Sequence, residues 1–396
     1  HAGIGMVHQH FKLVPSLTVA ENIVLGKEPK KHGLLSQKEA VTTVKKLSEK
    51  FGFDVDPQET VNNLSVGKKQ KVEILKSLYR KVDLLILDEP TAVLTPQETE
   101  ELFEQLEKLK DEGLTIIFIS HKLNEIKQIC QRITIMRHGK GVGTYDVDKL
   151  TVEEISRLMV GRDIVLKVEK TLAQPKKIQL EVKDVSSRNE AGKQVLNHVS
   201  FSLREGEILG IAGVEGSGQE DIVQFITGMN NRGNSGQILF DGKDMKGARI
   251  RDIRRKGMAY IPEDRMTMGV AEHVSIQENL ISSIYDTDLV NKGVLTDKKK
   301  MKAWVDSAVR DYDIRCGSPK DEVGMLSGGN MQKVVIAREF MTKPAVLVAD
   351  QPTRGVDVGS IEFIHKKIVE IRDQGCAVLL VSADLNEILE LADSII

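Results

Sequence analysis

Cysteine, aromatic residues and long apolar runs are all scarce in this sequence of 396 residues. Its three cysteines, Cys130, Cys316 and Cys376, are far apart and show no CxxC spacing, which argues against a disulfide framework or a zinc site and fits a reducing cytosol. The longest apolar runs, such as Leu84–Leu87 and Ala377–Val381, have the length of strands. The sequence therefore predicts no transmembrane helix.

Excess charge is also lacking, because 56 Lys and Arg residues face 58 Asp and Glu residues and leave a formal charge of −2. A protein with this balance has no global basic field to hold a nucleic-acid backbone. The apolar content of 40% is ordinary for a globular protein, and the length predicts two domains.

An internal repeat is the strongest pattern in the chain. Three segments of the first half recur in the second half, each displaced by 262 residues. They are Leu64–Lys68 recurring as Leu326–Asn330, Leu84–Thr91 recurring as Val346–Thr353, and Ile117–Ile126 recurring as Leu379–Ile388. Further upstream, Gly3–Gln9 matches Gly257–Glu263 at a displacement of 254. A constant register over this distance predicts two copies of one domain.

Each copy alternates short apolar runs with amphipathic stretches. Leu84–Leu87, Thr115–Ile119 and Ile133–Met136 have the pattern of buried strands, and Pro96–Gly113 between the first two has the pattern of a helix. Buried strands separated by helices predict α/β domains built on a parallel sheet. The stretches 20–62 and 276–325 lack the alternation and predict a helical subdomain inside each copy. We therefore expect domains at 1–164 and 178–396, joined by a polar, Pro-containing linker at 165–177.

A glycine-rich turn follows a predicted strand in the second copy. It contains Gly213, Gly216, Ser217 and Gly218 and leads into a helix, the arrangement that presents amide N–H groups to a phosphate. The full pattern G-x-x-x-x-G-K-[ST] is not met, because Gln219 occupies the place of the phosphate-binding Lys and Glu220 that of the Mg²⁺-binding hydroxyl. Weak nucleotide binding and a turn kept only for packing both remain open for this loop.

Acidic residues end a strand of the first copy. Asp88 at the carboxyl end of a buried strand can hold Mg²⁺, and Glu89 can orient or deprotonate an attacking water. His121 follows the next strand and could donate to a γ-phosphate. A lone histidine after a strand is more often structural, but its place one strand after Asp88 and Glu89, inside a repeated frame, favours a functional role.

The repeated string Leu326–Lys333 opens a helix of the second copy. Ser327, Gly328 and Gly329 place a hydroxyl and bare amides at the helix N-terminus, a second surface suited to an anion. The alternative is a serine N-cap with glycine spacers. The length of the string, through Asn330 and beyond, favours the anion-binding interpretation.

Together these residues resemble the ATP-binding cassette (ABC) ATPases, which are P-loop NTPases. Asp88 and Glu89 match the second phosphate motif of the family, Gln9 its glutamine loop, His121 its switch histidine, and Leu326–Asn330 its signature. The phrases 6–11, 91–98 and 351–357 are similar to the tandem cassettes of simple-sugar importers, and especially to the branch that serves nucleoside importers with basic-membrane-protein-type lipoproteins.

The resemblance implies two composite ATP sites, because paired cassettes of this family pack head-to-tail. The competent site would combine Gln9, Asp88, Glu89 and His121 with Ser327, Gly328, Gly329, Asn330 and Asp357, and Asp88 and Gln9 would hold Mg²⁺. The second site would combine Gln219, Glu220, Glu263, Asp350, Gln351 and Ala383 with Ser65, Val66, Gly67 and Thr95. It is expected to be degenerate, because six of these residues depart from the active form of the family, namely Gln219, Glu220, Glu263, Gln351, Ala383 and Val66.

The resemblance further implies an ATPase subunit that uses ATP and Mg²⁺ at the cytoplasmic face of the membrane. Its partners would be transmembrane permease subunits and, indirectly, an extracytoplasmic solute-binding lipoprotein, with no nucleic acid. The alternative is a soluble tandem-cassette ATPase that acts on ribosomes or nucleic acid. Such proteins usually keep both ATP sites intact. The difference between one complete and one altered set of motifs in this sequence therefore favours the importer.

Repeat symmetry also predicts truncation at both ends. The second copy places its glycine-rich loop 50 residues before Glu263, whereas the matching Gln9 lies close to His1. We therefore expect about 75–85 residues to be absent in front and about 25–30 behind. The first domain would lack its N-terminal strands and phosphate loop, and the second its C-terminal end. The chain alone is not expected to hydrolyse ATP at a useful rate.

Overall fold

A computed structural model describes residues 3–8, 11–31, 34–91, 94–137, 139–161, 170–188, 192–213, 216–230, 235–245, 247–293 and 295–396. The chain divides into two compact units, His1–Asp163 (unit 1) and Ile164–Ile396 (unit 2). Part of the predicted linker, 165–169, lies outside the described residues. Residues 170–177 form no helix or strand, and Lys170 donates to the carbonyl oxygens of Leu391 and Ala392 in unit 2. The predicted domain limits stay a prediction.

Unit 1 alternates strands with helices as its sequence pattern predicts. Its elements are β1 Ile4–Val7, α1 Val19–Val24, β2 Lys30–Lys31, β3 Leu34–Leu35, α2 Gln37–Phe51, α3 Val66–Tyr79, β4 Leu84–Asp88, α4 Pro96–Asp111, β5 Thr115–Ile119, α5 Leu123–Ile129, β6 Arg132–Arg137, β7 Lys140–Asp146 and α6 Val152–Val160.

A parallel sheet in the order β1-β4-β5 forms the centre of unit 1. The helix predicted at 96–113 forms at Pro96–Asp111, and Thr95 caps it through a capping box with Glu98. Its apolar face, including Leu102 and Phe103, is buried against the sheet core. Parallel strands place all their carboxyl ends at one edge, where Asp88 and the residues after Ile119 lie.

The opposite face of this sheet is exposed, contrary to the prediction that β5 is a buried strand. Ile4, Met6, Ile117 and Ile119 are each between 39% and 56% exposed. They alternate with less exposed residues, since successive side chains of a strand point to opposite faces. The apolar run 115–119 therefore has one partly buried side, with Ile116 and Phe118 packed on the core, and one exposed side.

Ile133–Met136 forms a strand as predicted, and Ile133 and Ile135 are buried, but the strand does not join the parallel sheet of unit 1. The segment lies in β6, which pairs antiparallel with β7 in a two-stranded sheet, and Met136 is 68% exposed. The matching strand of unit 2, Ser394–Ile395, pairs with the strand Ile208–Ala212. No described strand of unit 1 corresponds to Ile208–Ala212, and the pairing of β6 in the described residues is with β7.

Unit 2 contains the same frame with additional strands. Its elements are β8 Ile178–Arg188, β9 Gln194–Arg204, β10 Ile208–Ala212, α7 Gln219–Thr227, β11 Ser235–Phe240, β12 Lys243–Asp244, α8 Ile250–Arg255, β13 Met258–Ile261, a π-helical turn Arg265–Gly269, α9 Ile276–Ile281, β14 Asn291–Lys292, β15 Leu295–Thr296, α10 Lys298–Asp311, α11 Gly328–Phe340, β16 Val346–Asp350, α12 Val358–Asp373, β17 Ala377–Ser382, α13 Leu385–Leu391 and β18 Ser394–Ile395.

The parallel sheet of unit 2 has the order β13-β16-β17-β10-β18 and is covered on both faces. Every residue of β16 and β17 is buried. One face packs on α11 and α12. The other packs on α7 and on the antiparallel sheet β12-β11-β8-β9. Burial on both faces explains why these strands are continuous apolar runs.

The two stretches predicted to be helical contain helices over only about half of their residues, and each also holds a short antiparallel hairpin, β2-β3 or β14-β15. The stretches repeat one local design. Asn22 is buried in unit 1 and accepts a hydrogen bond from the N–H of Val14, and Asn279 does the same for Ala271 in unit 2. Among the residues described, none of the helices has the length and apolar character needed to cross a bilayer.

Candidate nucleotide site

The carboxyl ends of β4 and β5 bring two predicted catalytic side chains of unit 1 together. Nδ1 of His121 lies 2.9 Å from Oε1 of Glu89, so the two groups share a hydrogen bond. Both side chains are largely enclosed, with 17% and 23% of their surface exposed. Asp88 ends β4 directly before Glu89. A carboxylate that accepts a hydrogen bond from an imidazole is held in one orientation at this edge.

The backbone at Glu89 has a left-handed conformation with φ of 46°, which is uncommon for a residue with a side chain. Its N–H continues the sheet by donating to the carbonyl oxygen of Ile119 at 2.9 Å. Local strain of this kind persists where surrounding contacts fix it, and here it turns the carboxylate towards His121.

A second set of contacts ties the loop after β4 to the loop after β5. The hydroxyl of Thr91 donates to Oε2 of Glu125 at 2.5 Å, and the hydroxyl of Ser120 donates to the same oxygen at 3.3 Å. Lys122 donates to the carbonyl oxygen of Thr91 at 3.0 Å. We call Thr91, Ser120, Lys122 and Glu125 the loop clamp. It holds in place the two loops that carry Glu89 and His121.

The matching sheet edge of unit 2 has the same backbone conformation but lacks the carboxylate and the imidazole of unit 1. Gln351 has φ of 48°, and its N–H donates to the carbonyl oxygen of Val381 at 2.8 Å. Its side-chain oxygen accepts from the N–H of Ala383 at 3.2 Å, where unit 1 has an imidazole. Thr353 donates to Glu387 at 2.8 Å, so the Thr–Glu contact of the clamp is repeated. An amide has no basic site for a proton, so Gln351 lacks the function available to Glu89.

The glycine-rich loop joins β10 to α7 as predicted, with residues 214–215 outside the described part of the chain. Gly216 and Gly218 have φ of 86° and 97°, which favours glycine. A Cβ on Gly218 would lie 3.1 Å from the carbonyl oxygen of Val195, so the turn packs tightly. Gln219 begins α7 and directs its amide towards Gly213. Ser217 lies between the two turn glycines.

Two carboxyl groups face each other beside this loop. Asp350 is 4% exposed and ends β16, and Tyr260 donates a hydrogen bond to it. Burial, and secondly the negative charge of Glu220, raise the pKa of the Asp350 carboxyl to about 7. Burial, followed by the charges of Asp350 and Glu220, raises the pKa of the Tyr260 hydroxyl. Glu220 brings a negative charge where the complete motif would supply a hydroxyl, and the Lys is replaced by the neutral Gln219, so this edge disfavours phosphate.

The predicted signature residues begin α11 of unit 2. Ser327 occupies the N-cap position, but its hydroxyl makes no capping bond to the helix and instead accepts from Nδ2 of Asn330 at 3.0 Å. The N-cap alternative holds for the matching Ser65 of unit 1, whose hydroxyl accepts from the N–H of Lys68 at 3.4 Å. The two serines therefore differ in how their hydroxyls are used.

Asp357 lies against the signature within unit 2. It caps α12 by accepting from the N–H and hydroxyl of Ser360 at 3.0 and 2.9 Å. A Cβ on Gly329 would lie 2.7 Å from Oδ2 of Asp357, and one on Gly328 would lie 3.3 Å from the carbonyl oxygen of Gly355. Only glycine fits at this close approach of the two helix N-termini.

Gln9, predicted as both a catalytic and a metal-binding residue, lies outside the described residues. Within the described ranges, no group of three or more His, Cys, Asp or Glu side chains is arranged to hold a metal ion. Mg²⁺ in nucleotide sites uses one or two protein ligands together with phosphate oxygens and water. Asp88 alone at the end of β4 fits that requirement.

The loop clamp and the contacts of Arg265 described below were missed by the sequence reasoning. Thr91 and Glu125 both lie inside repeated segments, matched by Thr353 and Glu387. The repeat was therefore the signal that could have identified them.

Comparison with known proteins places the chain in a family. The model of the family described as ABC transporter matches residues 1–92 and 196–354. The chain is 42% identical to the nucleoside import ATP-binding protein NupA of Lactococcus lactis subsp. cremoris, covering 99% of the chain and 78% of the relative. It is 45% identical to the guanosine import ATP-binding protein NupO of Bacillus subtilis, covering 99% and 77%.

A sugar importer protein is also among the relatives. The glucose import ATP-binding protein TsgD13 of Haloferax volcanii is 40% identical, covering 100% of the chain and 77% of the relative. The predicted family and the predicted pair of ABC-type α/β domains are confirmed by these matches. Two segments of one family model in a single chain agree with the internal repeat. The chain belongs to the ABC transporter family.

Proposed function

We propose that this chain is the ATP-binding subunit of an importer for nucleosides or simple sugars, with one site that hydrolyses ATP and one degenerate site. The observation that carries the proposal is the difference between two matching sheet edges. Glu89 is paired with His121 at 2.9 Å in unit 1, whereas Gln351 accepts from the backbone N–H of Ala383 in unit 2. Relatives named as nucleoside and glucose import ATP-binding proteins support the transported class.

Hydrolysis needs a group that accepts a proton from the attacking water. Glu89 would act as this base, and His121 would hold its carboxylate in place and donate to the γ-phosphate oxygen where negative charge develops. A positioned base contributes about 10²–10⁴-fold to the rate of such a step. The loop clamp keeps both side chains at fixed positions, which preserves this geometry between turnovers.

The signature of unit 2 would complete the competent site. Ser327, Gly328 and Gly329 would present a hydroxyl and N–H groups at the N-terminus of α11 to the phosphates, with Asp357 and Asn330 supporting that surface. The hydroxyl of Ser327 is not used to cap its helix, which supports a role towards a ligand. Asp88, with Gln9, would hold Mg²⁺, which neutralises phosphate charge when it is bound.

The second site would bind nucleotide without hydrolysing it, or not at all. Gly213, Gly216, Ser217 and Gly218 retain a turn suited to phosphate, and Gln219 could donate one uncharged hydrogen bond. The negative charge of Glu220 opposes an anion there. Replacing a charge-assisted contact by a neutral one costs about tenfold or more in affinity.

The subunit would bind transmembrane permease subunits at the cytoplasmic face of the membrane. A solute-binding lipoprotein outside the membrane would deliver the solute. The words "import ATP-binding protein" in the names of the relatives support this arrangement.

Co-purification combined with uptake tests the proposal. The chain, expressed with its natural flanking sequence and an affinity tag, would be isolated from detergent-solubilised cells of its source. We expect it with a polytopic membrane protein in a fixed ratio. Deletion of its gene should abolish uptake of either labelled purine nucleosides or labelled pentoses and hexoses. Complementation with Glu89→Gln should not restore the uptake.

Two results would overturn the proposal. Recovery with ribosomes or nucleic acid, and not with a membrane protein, would support the alternative ATPase. Unchanged uptake of all these solutes in the deletion strain would show that the transported class is wrong.

A further inference from the structure

Arg265 of unit 2 bonds to the loop that follows β16. Its guanidinium donates from Nη1 to the carbonyl oxygen of Arg354 at 2.7 Å and from Nη2 to that of Gly355 at 3.0 Å. Glu263, two residues earlier, forms an ion pair with the Arg354 side chain. The segment that leaves β13 is therefore joined to residues 354–355 by backbone and side-chain contacts.

The same guanidinium lies against the signature. A Cβ placed on Gly328 would lie 2.7 Å from Nη2 of Arg265 and 3.3 Å from the carbonyl oxygen of Gly355. Arg265 thus fills the space where the 354–357 loop meets the start of α11. A guanidinium suits this place because its planar fork can donate to two adjacent carbonyl oxygens at once.

The rest of the segment is fixed to α11 as well. Oδ1 of Asp264 accepts from the N–H groups of Met266 and Thr267 at 2.8 and 3.2 Å and so closes the π-helical turn. Arg338 on α11 donates to the carbonyl oxygen of Gly269 at 2.8 Å. Both ends of 265–269 are bonded to α11 or to the loop beside it, so this segment is held next to the signature.

These contacts distinguish unit 2 from unit 1 at the level of sequence. The cluster comprises Glu263, Arg265, Gly328 and Arg354. The matching residues of the first copy are Gln9, Phe11, Val66 and Ala92. Every charged member and the glycine are replaced together, and Phe11, at the position that matches Arg265, has no side-chain donor. The cluster accompanies the signature assigned to the competent site.

We propose that Arg265 is a positioning residue for ATP turnover, which holds Gly328 and the 354–357 loop in the arrangement that receives the nucleotide. This inference rests on the proposed function, because it assumes that the signature of unit 2 serves the site containing Glu89. Arg265 would act in the hydrolysis step. Its loss should therefore lower kcat more than it raises the KM for ATP.

The test measures ATP turnover of the chain with its natural flanking sequence, assembled with its permease in lipid nanodiscs. We expect Arg265→Ala to lower kcat about ten- to a hundredfold through the loss of two charge-assisted hydrogen bonds, with KM changing less than threefold. Arg265→Lys keeps the charge and can reach one carbonyl, so kcat should fall about three- to tenfold. Turnover is expressed per folded chain, as measured by circular dichroism at the assay temperature.

Two arginine variants serve as controls. Arg354→Ala removes the ion pair with Glu263 but keeps the carbonyl oxygen that Arg265 binds, so kcat should fall less than threefold. Arg249→Ala removes an exposed arginine that pairs with Asp252 at 2.8 Å on α8, and kcat should not change. We expect kcat to fall most in Arg265→Ala, less in Arg265→Lys and least in Arg354→Ala. This order is specific to a guanidinium that acts by bonding to backbone carbonyl oxygens.

Parallel measurement of Glu89→Gln separates the two proposals. One outcome is that Glu89→Gln abolishes turnover while Arg265→Ala and Arg265→Lys retain the kcat of the unmodified protein. The positioning role of Arg265 would then be wrong, and the proposed hydrolytic site containing Glu89 would be supported. If Glu89→Gln retains turnover, the proposed site itself is wrong. If Arg265→Ala does not fold, a kcat of Arg265→Lys equal to that of the unmodified protein would equally overturn the inference, and a loss would support it.

Discussion

Two matched substitutions, Glu89→Gln and Gln351→Ala, test the asymmetry between the two sheet edges. The positions are equivalent in backbone, with φ of 46° and 48° and with N–H groups that continue the sheet at 2.9 and 2.8 Å. A difference in effect therefore reports the side chains and not the surrounding fold.

The two substitutions should affect different quantities: Glu89→Gln the rate of ATP turnover, and Gln351→Ala the stability of unit 2. Glu89→Gln keeps the shape of the side chain but removes the proton acceptor, so turnover should fall about 10²–10⁴-fold. Gln351→Ala removes one hydrogen bond, which the N–H of Ala383 donates at 3.2 Å. That loss is worth about 1 kcal/mol in the free energy of unfolding of unit 2, while turnover should stay within twofold of the unmodified protein.

The assay is phosphate release at saturating ATP by the chain with its natural flanking sequence, assembled with its permease. Calorimetry supplies the unfolding free energies. Glu104→Gln makes the same chemical change at an exposed position on α4 and should leave both quantities unchanged. Equal losses of turnover in Glu89→Gln and Gln351→Ala would refute the asymmetric assignment, and so would a loss below tenfold in Glu89→Gln.

Three further expectations follow from other parts of the two units. Ser327→Arg should lower turnover at least tenfold more than Ser65→Arg in the same phosphate-release assay, because only Ser327 belongs to the signature of the competent site; equal losses would contradict this. Because the raised pKa of Asp350, about 7, lets the folded state hold a proton that the unfolded chain releases near pH 4, unit 2 should lose stability as the pH rises from about 4 to 7. Asp350→Asn should flatten that slope and stabilise unit 2 at pH 8 by up to about 4 kcal/mol in calorimetry, whereas an unchanged slope would assign the pH dependence elsewhere. Glu125→Ala should lower kcat about tenfold by releasing the loop clamp, and Thr91→Val, which removes one of its bonds, should lower it less; wild-type kcat in both would show that the clamp does not position the site.

Much of the frame could be predicted because its signals are local. The apolar runs at 84–88 and 346–350 are bounded by polar turns, and both form strands at those places. Glu89 and His121 are 32 residues apart, yet they meet because neighbouring parallel strands end at one edge of a sheet. The internal repeat added a further signal, because each motif of one copy could be located by its match in the other copy.

The failures concern features that depend on distant neighbours. The run at 115–119 is as apolar as that at 377–381, but only the second is covered on both faces. The sequence of a strand alone does not show which elements pack on each of its faces. The contacts of Arg265 join segments separated by 63 and 89 residues, and no periodicity relates them.

The exposed face of the unit 1 sheet determines how this chain can be handled at the bench. Ile4, Met6, Ile117 and Ile119 offer apolar surface where the corresponding face of unit 2 is buried under α7 and β8–β9. Dyes that fluoresce on apolar surfaces should therefore bind these 396 residues when they are folded at room temperature, and so mask their melting in plate-based assays. Calorimetry should resolve two transitions, with unit 1 melting first because less of its apolar surface is removed from water. A single melting temperature assigned to the whole chain would describe neither unit.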